Sequence, residues 1–178
     1  MSATAWQKAE VAGPKKALVI TKPQVVSAMI KRSKMPIMIA GHKVTETAVS
    51  NKLLVDYLID LVGLAGIPVV ATAHMIGEFD KRGYRPKASM SLVDVCNRLT
   101  DASWSLEGSG SHDLALFAGH DYYMQWLALS GLKHAAPQLK TISLDRYYQP
   151  HATWSFPNLS EQEWSNSLQQ VLRGVGGQ

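Results

Sequence analysis

The chain has 178 residues, of which 46% are hydrophobic and 18% are charged. This length and balance are typical of one folded domain with a sizeable core, and they exclude an intrinsically disordered chain. No apolar run approaches the roughly 20 residues that a membrane-spanning helix needs, and the N-terminus lacks the apolar segment of a signal peptide. We therefore expect a cytoplasmic protein that contacts no membrane.

The single cysteine, Cys96, limits the redox chemistry that the chain can support. One thiol cannot supply a disulfide framework, a redox-active cysteine pair or a thiolate-bound iron–sulfur cluster. Cys96 falls in the middle of an amphipathic helical pattern, where a buried thiol is the ordinary interpretation. If the protein takes part in redox chemistry, we expect the metal centres to belong to another chain.

The net charge of +4 is unevenly distributed. The first 35 residues contain seven lysines or arginines and one glutamate, whereas the remainder has eleven basic and thirteen acidic residues. We predict that residues 1–21 form a basic arm that faces solvent or a partner protein, because the lysines are accompanied by no nucleic-acid motif. Trp6 in this arm is typical of an anchor on another chain, although packing on its own domain would explain it equally well.

Residues 22–178 follow the pattern of a single α/β domain. A helix is predicted over 22–34, and the apolar run 36–40 predicts a strand that is buried on both faces. A long helix over 45–62 and a strand over 67–72 then complete a βαβ unit, whose crossover we expect to be right-handed.

The second half of the chain continues this alternation. Ser91 begins a short predicted helix over 91–99, and the glycine- and serine-rich stretch 101–113 predicts a functional or mobile loop. The remaining predicted elements are a strand over 114–119, a helix over 121–132, strands over 140–144 and 152–156, and a helix over 160–173 that opens with a capping box. The order predicts a three-layer α/β/α sandwich with a mostly parallel, Rossmann-like sheet.

In a parallel sheet all strand carboxyl ends lie at one edge, where ligands bind. The residues that follow the predicted strands are Gly41, His42, Lys43, His74, Gly119, His120 and Asp145. Three histidines and a carboxylate could ligate a metal or transfer protons, but their spacing matches no metal motif, and histidines at strand ends often cap backbone groups.

A nucleotide site at this edge is the stronger prediction. A glycine turn that opens a helix presents N–H groups to phosphate, although the G-x-G-x-x-G spacing is absent. The residues of this predicted nucleotide-binding rim are Gly41, His42, Lys43, Gly119 and His120.

No residue pattern indicates catalysis. A Gly-x-Ser-x-Gly motif is absent, and Cys96 has no base beside it in the sequence. Asp56 and Asp60 lie four positions apart on the outer face of a predicted helix, where solvated surface is the usual role of such a pair. We assign no catalytic residue and no metal-binding residue, and we expect no catalysis by the chain alone.

Three segments resemble the central domain of thiamine-diphosphate enzymes, whose fold is known as the DHS-like NAD/FAD-binding domain. They read Lys-Met-Pro-Ile-Met-Ile-Ala-Gly from Lys34, Gly-Ile-Pro-Val-Val-Ala-Thr from Gly66 and Asp-Leu-Ala-Leu-Phe-Ala-Gly from Asp113. The resemblance covers about residues 22–144 and implies a Rossmann-like nucleotide-binding fold. We expect no thiamine chemistry, because the chain is too short to hold the other two domains of those enzymes.

Over nearly its whole length the chain is similar to the epsilon subunits of the archaeal acetyl-CoA decarbonylase/synthase complex, which belongs to methanogenesis and one-carbon metabolism. The resemblance implies a non-catalytic subunit that binds and stabilises the nickel–iron–sulfur alpha subunit, the carbon monoxide dehydrogenase component, with two copies of each chain. It further implies assistance in electron transfer to FAD.

Two other hypotheses stay open. A stand-alone FAD- or NAD-binding redox protein would use the turns at Gly41 and Gly119 and the loop around 108–111. A regulatory domain of a thiamine enzyme would instead be encoded beside genes for the missing domains.

Overall fold

The structure is a computed structural model that describes residues 15–72, 75–108 and 110–177. In chain order the elements are β1 (Leu18–Val19), α1 (Gln24–Arg32), β2 (Pro36–Ala40), a turn of 3-10 helix (His42–Thr45), β3 (Ala48–Val49), β4 (Lys52–Leu53), α2 (Leu54–Ala65), β5 (Val69–Ala71), α3 (Ile76–Asp80), β6 (Ala88–Ser89), α4 (Leu92–Thr100), β7 (Leu114–Ala118), α5 (Tyr122–Ala135), β8 (Lys140–Ser143), β9 (Trp154–Ser155) and α6 (Glu161–Gly176). Within the described residues, no helix combines the length and the apolar character needed to cross a membrane.

Seven strands form one sheet in the order β1-β9-β8-β7-β2-β5-β6, and all of its strand pairs are parallel. The central pair, β2 and β7, runs in register from Pro36 opposite Leu114 to Ala40 opposite Ala118. All of β7 and all of β2 after Pro36 are buried, as expected of strands that helices cover on both faces. The predicted α/β fold with a mostly parallel sheet is confirmed.

Side chains of β2 alternate between two cores, one on each face of the sheet. Ile37 and Ile39 belong to the core beneath α4 and α5. Met38 and Ala40 belong to the core beneath α1, α2 and α6. The helices therefore form an outer layer on each side of the sheet, which completes the three-layer sandwich.

The direction in which strands are added reverses between β2 and β7. From β2 the chain builds β5 and β6 on one side, and then crosses back to add β7, β8 and β9 on the other. In parallel α/β sheets, ligands bind at the carboxyl ends of the strands where such a reversal occurs. Gly41 follows β2 and Gly119 follows β7, so both predicted glycine turns lie at this switch point.

The predicted helix over 45–62 begins too early. Helix α2 starts at Leu54, and the residues before it form the 3-10 turn and an antiparallel hairpin of β3 and β4. Four β-branched residues, at positions 44, 45, 47 and 49, disfavour helix in this stretch. The carboxylate of Asp56 fixes the observed start, because it accepts a hydrogen bond from the N–H of Leu53 at 3.1 Å.

The two edge strands, β1 and β6, were not predicted. Each has two residues, which is too few for a periodic pattern to show. Leu18–Val19 lie within the range predicted as a basic arm, so the sheet begins inside that range.

The predicted connection after β5 also contains a short helix, α3. Trp6 and the arm up to residue 14 lie outside the described residues.

The predicted helix starts at Ser91 and Ser160 are confirmed. The Ser91 hydroxyl accepts a hydrogen bond from the N–H of Asp94 at 3.1 Å. Ser160 and Glu163 form a reciprocal capping box at the start of α6, in which each side chain satisfies a backbone N–H of the first turn. Local sequence chemistry therefore fixes these two helix starts.

The long loop over 101–113 is held at its C-terminal end, and its described residues contain no helix or strand. The His112 ring accepts a hydrogen bond from Leu106 N at 3.1 Å and donates one to the carbonyl oxygen of Met35 at 3.0 Å. Asp113 accepts hydrogen bonds from Lys34 N at 2.9 Å and from Met35 N at 3.1 Å. These bonds join the loop to the residues that lead into β2.

Candidate functional site

The glycine turns after β2 and β7 touch each other through their backbones. Gly41 N donates to the carbonyl oxygen of Ala118 at 2.8 Å, and Lys43 N donates to that of Gly119 at 2.9 Å. A Cβ atom at Gly41 would lie 2.2 Å from the Gly119 oxygen. Gly119 has a φ of +72°, and a Cβ there would lie 2.3 Å from Val44 Cγ1. Only glycine allows this close approach.

His42 and Lys43 face a carboxylate at the start of α5. Lys43 Nζ lies 2.6 Å from Asp121 Oδ1, and His42 Nε2 lies 3.8 Å from Asp121 Oδ2. The hydrogen bond from Lys43 holds the pKa of Asp121 below its usual value. Asp121 precedes α5 and makes no side-chain capping bond, so its charge is committed to the lysine rather than to the helix.

His120 is buried beneath the Gly41 turn. Its Nε2 lies 3.3 Å from the carbonyl oxygen of Ile39, and because a carbonyl only accepts, Nε2 carries the hydrogen. Burial lowers the pKa of His120 to about 4. At neutral pH the ring is therefore uncharged, and it contacts Phe117 with the ring centroids 6.2 Å apart.

Asp145 brings a second carboxylate to the switch point, in addition to Asp121. It lies just past β8, and its Oδ1 accepts a hydrogen bond from Gly119 N at 2.7 Å. The side chain of Gln125, whose Nε2 donates to Ser143 Oγ at 2.9 Å, acts to lower the pKa of this carboxylate. Although the residue as a whole is partly exposed, burial of the carboxylate among protein groups raises its pKa to about 6. Asp145 was placed at the sheet edge by the sequence but was not included in the nucleotide-binding rim.

A cavity of about 430 Å³ opens at this edge, and we call it the rim cavity. Its lining includes Lys43, Gly119, His120, Asp145, Arg146 and Gln149. Three of the five predicted rim residues are thus in the lining, whereas the buried Gly41 and the partly exposed His42 are not. His74 lies outside the described residues. The rim cavity combines two cationic side chains, Lys43 and Arg146, with the three carboxylates of Glu46, Asp145 and Glu161. Arg146 pairs with Glu161 at 2.8 Å, so the lining suits a polar ligand that donates hydrogen bonds.

The described residues contain no group of three histidine, cysteine or acidic side chains arranged to hold a metal ion. Cys96 is buried on α4, and burial raises the pKa of its thiol to about 12. A thiol with so high a pKa stays protonated, whereas a metal ligand must be a thiolate.

The sequence matches the family model described as CO dehydrogenase beta subunit/acetyl-CoA synthase epsilon subunit over residues 1–172. Three relatives described as acetyl-CoA decarbonylase/synthase complex subunit epsilon are similar over most of their length. The relative in Methanothermobacter thermautotrophicus is 33% identical over 93% of this chain and 92% of its own. In Archaeoglobus fulgidus the epsilon 1 subunit is 34% identical over 85% and 81%, and in Methanocaldococcus jannaschii the subunit is 33% identical over 87% and 86%. The chain therefore belongs to the family of CO dehydrogenase beta subunits and acetyl-CoA synthase epsilon subunits.

Proposed function

We propose that this chain is a non-catalytic subunit that docks on the nickel–iron–sulfur alpha subunit of the acetyl-CoA decarbonylase/synthase complex and stabilises it, with two copies of each chain. Membership of the family makes a multi-subunit complex the setting of the chain. The observation that carries the proposal is an exposed apolar surface on the outer side of α4 and α5. We call it the α4–α5 face.

Four large apolar side chains define the α4–α5 face. The exposed fraction is 57% for Val93, 73% for Tyr123, 47% for Met124 and 60% for Leu127. Val93, Met124 and Leu127 line a groove of about 280 Å³ between the two helices. Contiguous apolar surface of this kind is typical of a protein–protein interface. Because the chain belongs to a family of complex subunits, we assign the larger alpha subunit as the protein that covers it.

Mutation of Leu127 tests this assignment. The tagged chain would be co-expressed with its cognate alpha subunit, and the mass of the purified complex would be measured by light scattering after size exclusion. We expect an assembly with two copies of each chain. We expect Leu127→Glu to weaken the complex by at least about tenfold, because a charge would enter the apolar centre of the contact.

Leu64→Glu is the matched control. Leu64 is 58% exposed on α2, on the opposite side of the sheet, so this variant should retain the complex. If Leu127→Glu bound as well as the wild type, or if Leu64→Glu alone abolished binding, the α4–α5 face would not be the docking surface.

A second proposal concerns FAD, which the rim cavity favours. The volume of about 430 Å³ lies in the usual range for small-molecule sites. Lys43 and Arg146 place cations at the lining, where they pair with Asp121 at 2.6 Å and Glu161 at 2.8 Å, and Asp145 places an acceptor there. The adenosine diphosphate half of the cofactor would fit these residues with its phosphates in place of the exposed carboxylates of Asp121 and Glu161. Bound FAD would supply an acceptor for electrons from the metal centres of the complex, while this chain holds and orients it.

Calorimetric titration of the purified chain with FAD tests the second proposal. Micromolar binding would correspond to about −8 kcal/mol, and Arg146→Gln should weaken it, because Arg146 brings one of the two cations of the lining. Arg98→Gln is the control, because Arg98 lies on α4 and is not part of the lining. This variant should bind FAD as the wild type does. The absence of any heat with FAD, NAD and ADP would refute the FAD proposal and would leave the docking proposal standing.

A further inference from the structure

The segment from β7 to Asp145 has the layout of a mononucleotide-binding unit. Strand β7 ends in the Gly119 turn, helix α5 follows, and the parallel neighbour β8 ends just before Asp145. In dinucleotide-binding folds, an acidic residue about 20 positions after the glycine turn binds the ribose hydroxyls. Asp145 lies 26 positions after Gly119. The glycine-rich motif is missing, but the strand, turn, helix, strand and acid are all present in order.

The geometry brings the acid against the turn. The hydrogen bond of 2.7 Å from Gly119 N fixes one carboxylate oxygen of Asp145. The carboxylate is thus held in one orientation on the wall of the rim cavity. A fixed acceptor of this kind can discriminate between ligands, because a buried acceptor without a donor is costly.

The charge of Asp145 determines which part of a ligand can lie beside it. A phosphate would be repelled by the carboxylate and would lie instead toward Lys43 and Arg146 of the same lining, where it would replace the exposed carboxylates of Asp121 and Glu161 that pair with them. A vicinal diol offers two hydroxyl donors and no charge, and so complements the acceptor. A metal ion is a weaker match, because the described residues place no second and third acidic or histidine ligand around Asp145.

Gln149 adds a second acceptor to the same wall. Its side chain is buried, its Nε2 donates to the carbonyl oxygen of Tyr122 at 3.1 Å, and its Oε1 has no hydrogen-bond partner. That oxygen is covered in this structure, so a ligand hydroxyl would reach it after a rotation of the amide. An unpaired buried acceptor in the same lining as the carboxylate is costly, and a ligand that donates hydrogen bonds would relieve that cost.

We propose that Asp145 is the specificity-determining residue of the rim cavity, where its carboxylate accepts hydrogen bonds from the vicinal hydroxyls of a nucleotide ribose or a flavin ribityl chain. This inference rests on the nucleotide-binding part of the proposed function. It adds that the cavity selects its ligand by the sugar and not by the base or the phosphate alone.

Paired ligands test the proposal without any mutation. Calorimetric titration of the wild-type chain with ADP and with 2′-deoxy-ADP compares ligands that differ by one hydroxyl, and we expect ADP to bind at least about tenfold more tightly. Riboflavin and lumiflavin form the second pair, which differs by the ribityl chain. If only ADP and 2′-deoxy-ADP differ in affinity, the cavity recognises ribose. If only riboflavin and lumiflavin differ, it recognises the ribityl chain.

The variant Asp145→Asn provides the second arm. Asparagine can still accept the Gly119 N–H through its side-chain oxygen, but it removes the charge, so ADP binding should weaken by about tenfold and the preference over 2′-deoxy-ADP should disappear. The control Asp80→Asn changes an exposed acid on α3 and should keep both the affinity and the preference.

The possible failures of the two proposals are distinguishable. If ADP or FAD binds but both members of each pair bind equally, or if Asp145→Asn retains the preference, the role of Asp145 is refuted and the nucleotide site stands. If none of these ligands binds, both the nucleotide site and the role of Asp145 are refuted.

Discussion

The Asp145 carboxylate and the Gly119 amide are joined by a hydrogen bond of 2.7 Å, across the carboxyl ends of two neighbouring strands. This bond gives the Gly119 N–H a hydrogen-bond partner, but it requires the charged carboxylate of Asp145 to be buried. Burial disfavours the ionised carboxylate, and the pKa of Asp145 is raised for that reason. The same residue therefore supports the turn and weakens the fold when it ionises.

The pH dependence of stability should show this effect. The pKa of Asp145 rises from 3.8 to about 6 on folding, so the folded state binds more protons between these values, and stability falls as pH rises through about 6. Ionisation should reduce the free energy of unfolding by at most about 3 kcal/mol. Urea denaturation at pH 4 and pH 8 measures this effect. We expect the free energy of unfolding of Asp145→Asn, relative to that of the wild type, to be higher at pH 8 than at pH 4. An equal effect at both pH values would contradict this assignment of the pKa.

His120 should act in the opposite direction. Its pKa falls from 6.5 to about 4 on folding, so the stability associated with the neutral ring is present above pH 6.5 and is lost as pH falls toward 4, by about 3 kcal/mol at most. His120→Gln keeps a donor for the Ile39 carbonyl and removes the titration. We expect this variant to lose less stability on acidification than the wild type, and ring signals in NMR should report the low pKa directly. A ring that titrates near 6.5 in the folded protein would contradict the buried, neutral assignment.

The contact between the two glycine turns should make Gly41→Ala destabilising. The added Cβ would lie 2.2 Å from the Gly119 oxygen, so the backbone must move, at an expected cost of about 1–3 kcal/mol. Gly63→Ala is the matched control, because Gly63 lies in α2 with no atom near the new Cβ. It should stabilise the fold by about 1 kcal/mol through helix propensity. Urea denaturation measures both, and equal effects of the two changes would show that the turns tolerate a side chain.

The capping box of α6 should contribute measurably to stability. Ser160 Oγ accepts the N–H of Glu163 at 3.3 Å, and the Glu163 carboxylate accepts that of Ser160 at 3.1 Å. Ser160→Ala should therefore lower the free energy of unfolding by about 1 kcal/mol. Ser167→Ala, in the interior of the same helix, is the comparison and should have a smaller effect, since Ser167 caps no helix end. Thermal melts of the two variants would decide the matter.

The parts of the fold that could be predicted are those with long, uniform patterns. The central strands β2 and β7 are apolar throughout and are followed by glycine, so the sheet and its binding edge could be inferred. The edge strands have two residues each, and the hairpin before α2 continues the apolar spacing of the helix. The pattern of apolar and polar residues does not distinguish either the edge strands or the hairpin from the segments beside them.

The role of Asp145 could not be inferred because it depends on which strands are neighbours. The sequence shows an acid after a strand, but its hydrogen bond to Gly119 exists only because β8 pairs with β7. The burial of His120 has the same origin, since the ring lies under a turn that comes 79 positions earlier in the chain, at Gly41. A search for a glycine turn, a helix and an acid at the end of the next strand would have added Asp145, already placed at the sheet edge, to the predicted nucleotide-binding rim.

The pairing of β2 with β7 also determines when the binding edge can form. These strands are neighbours in the sheet, but Pro36 pairs with Leu114 across more than a third of the chain. Contacts between residues so distant in sequence form slowly, because a long loop must close before they can be made. During synthesis, β2 must therefore wait as an apolar strand without its central partner until β7 has left the ribosome. The strand at the centre of the binding edge is thus open to misassociation on one side until the later part of the chain has been made.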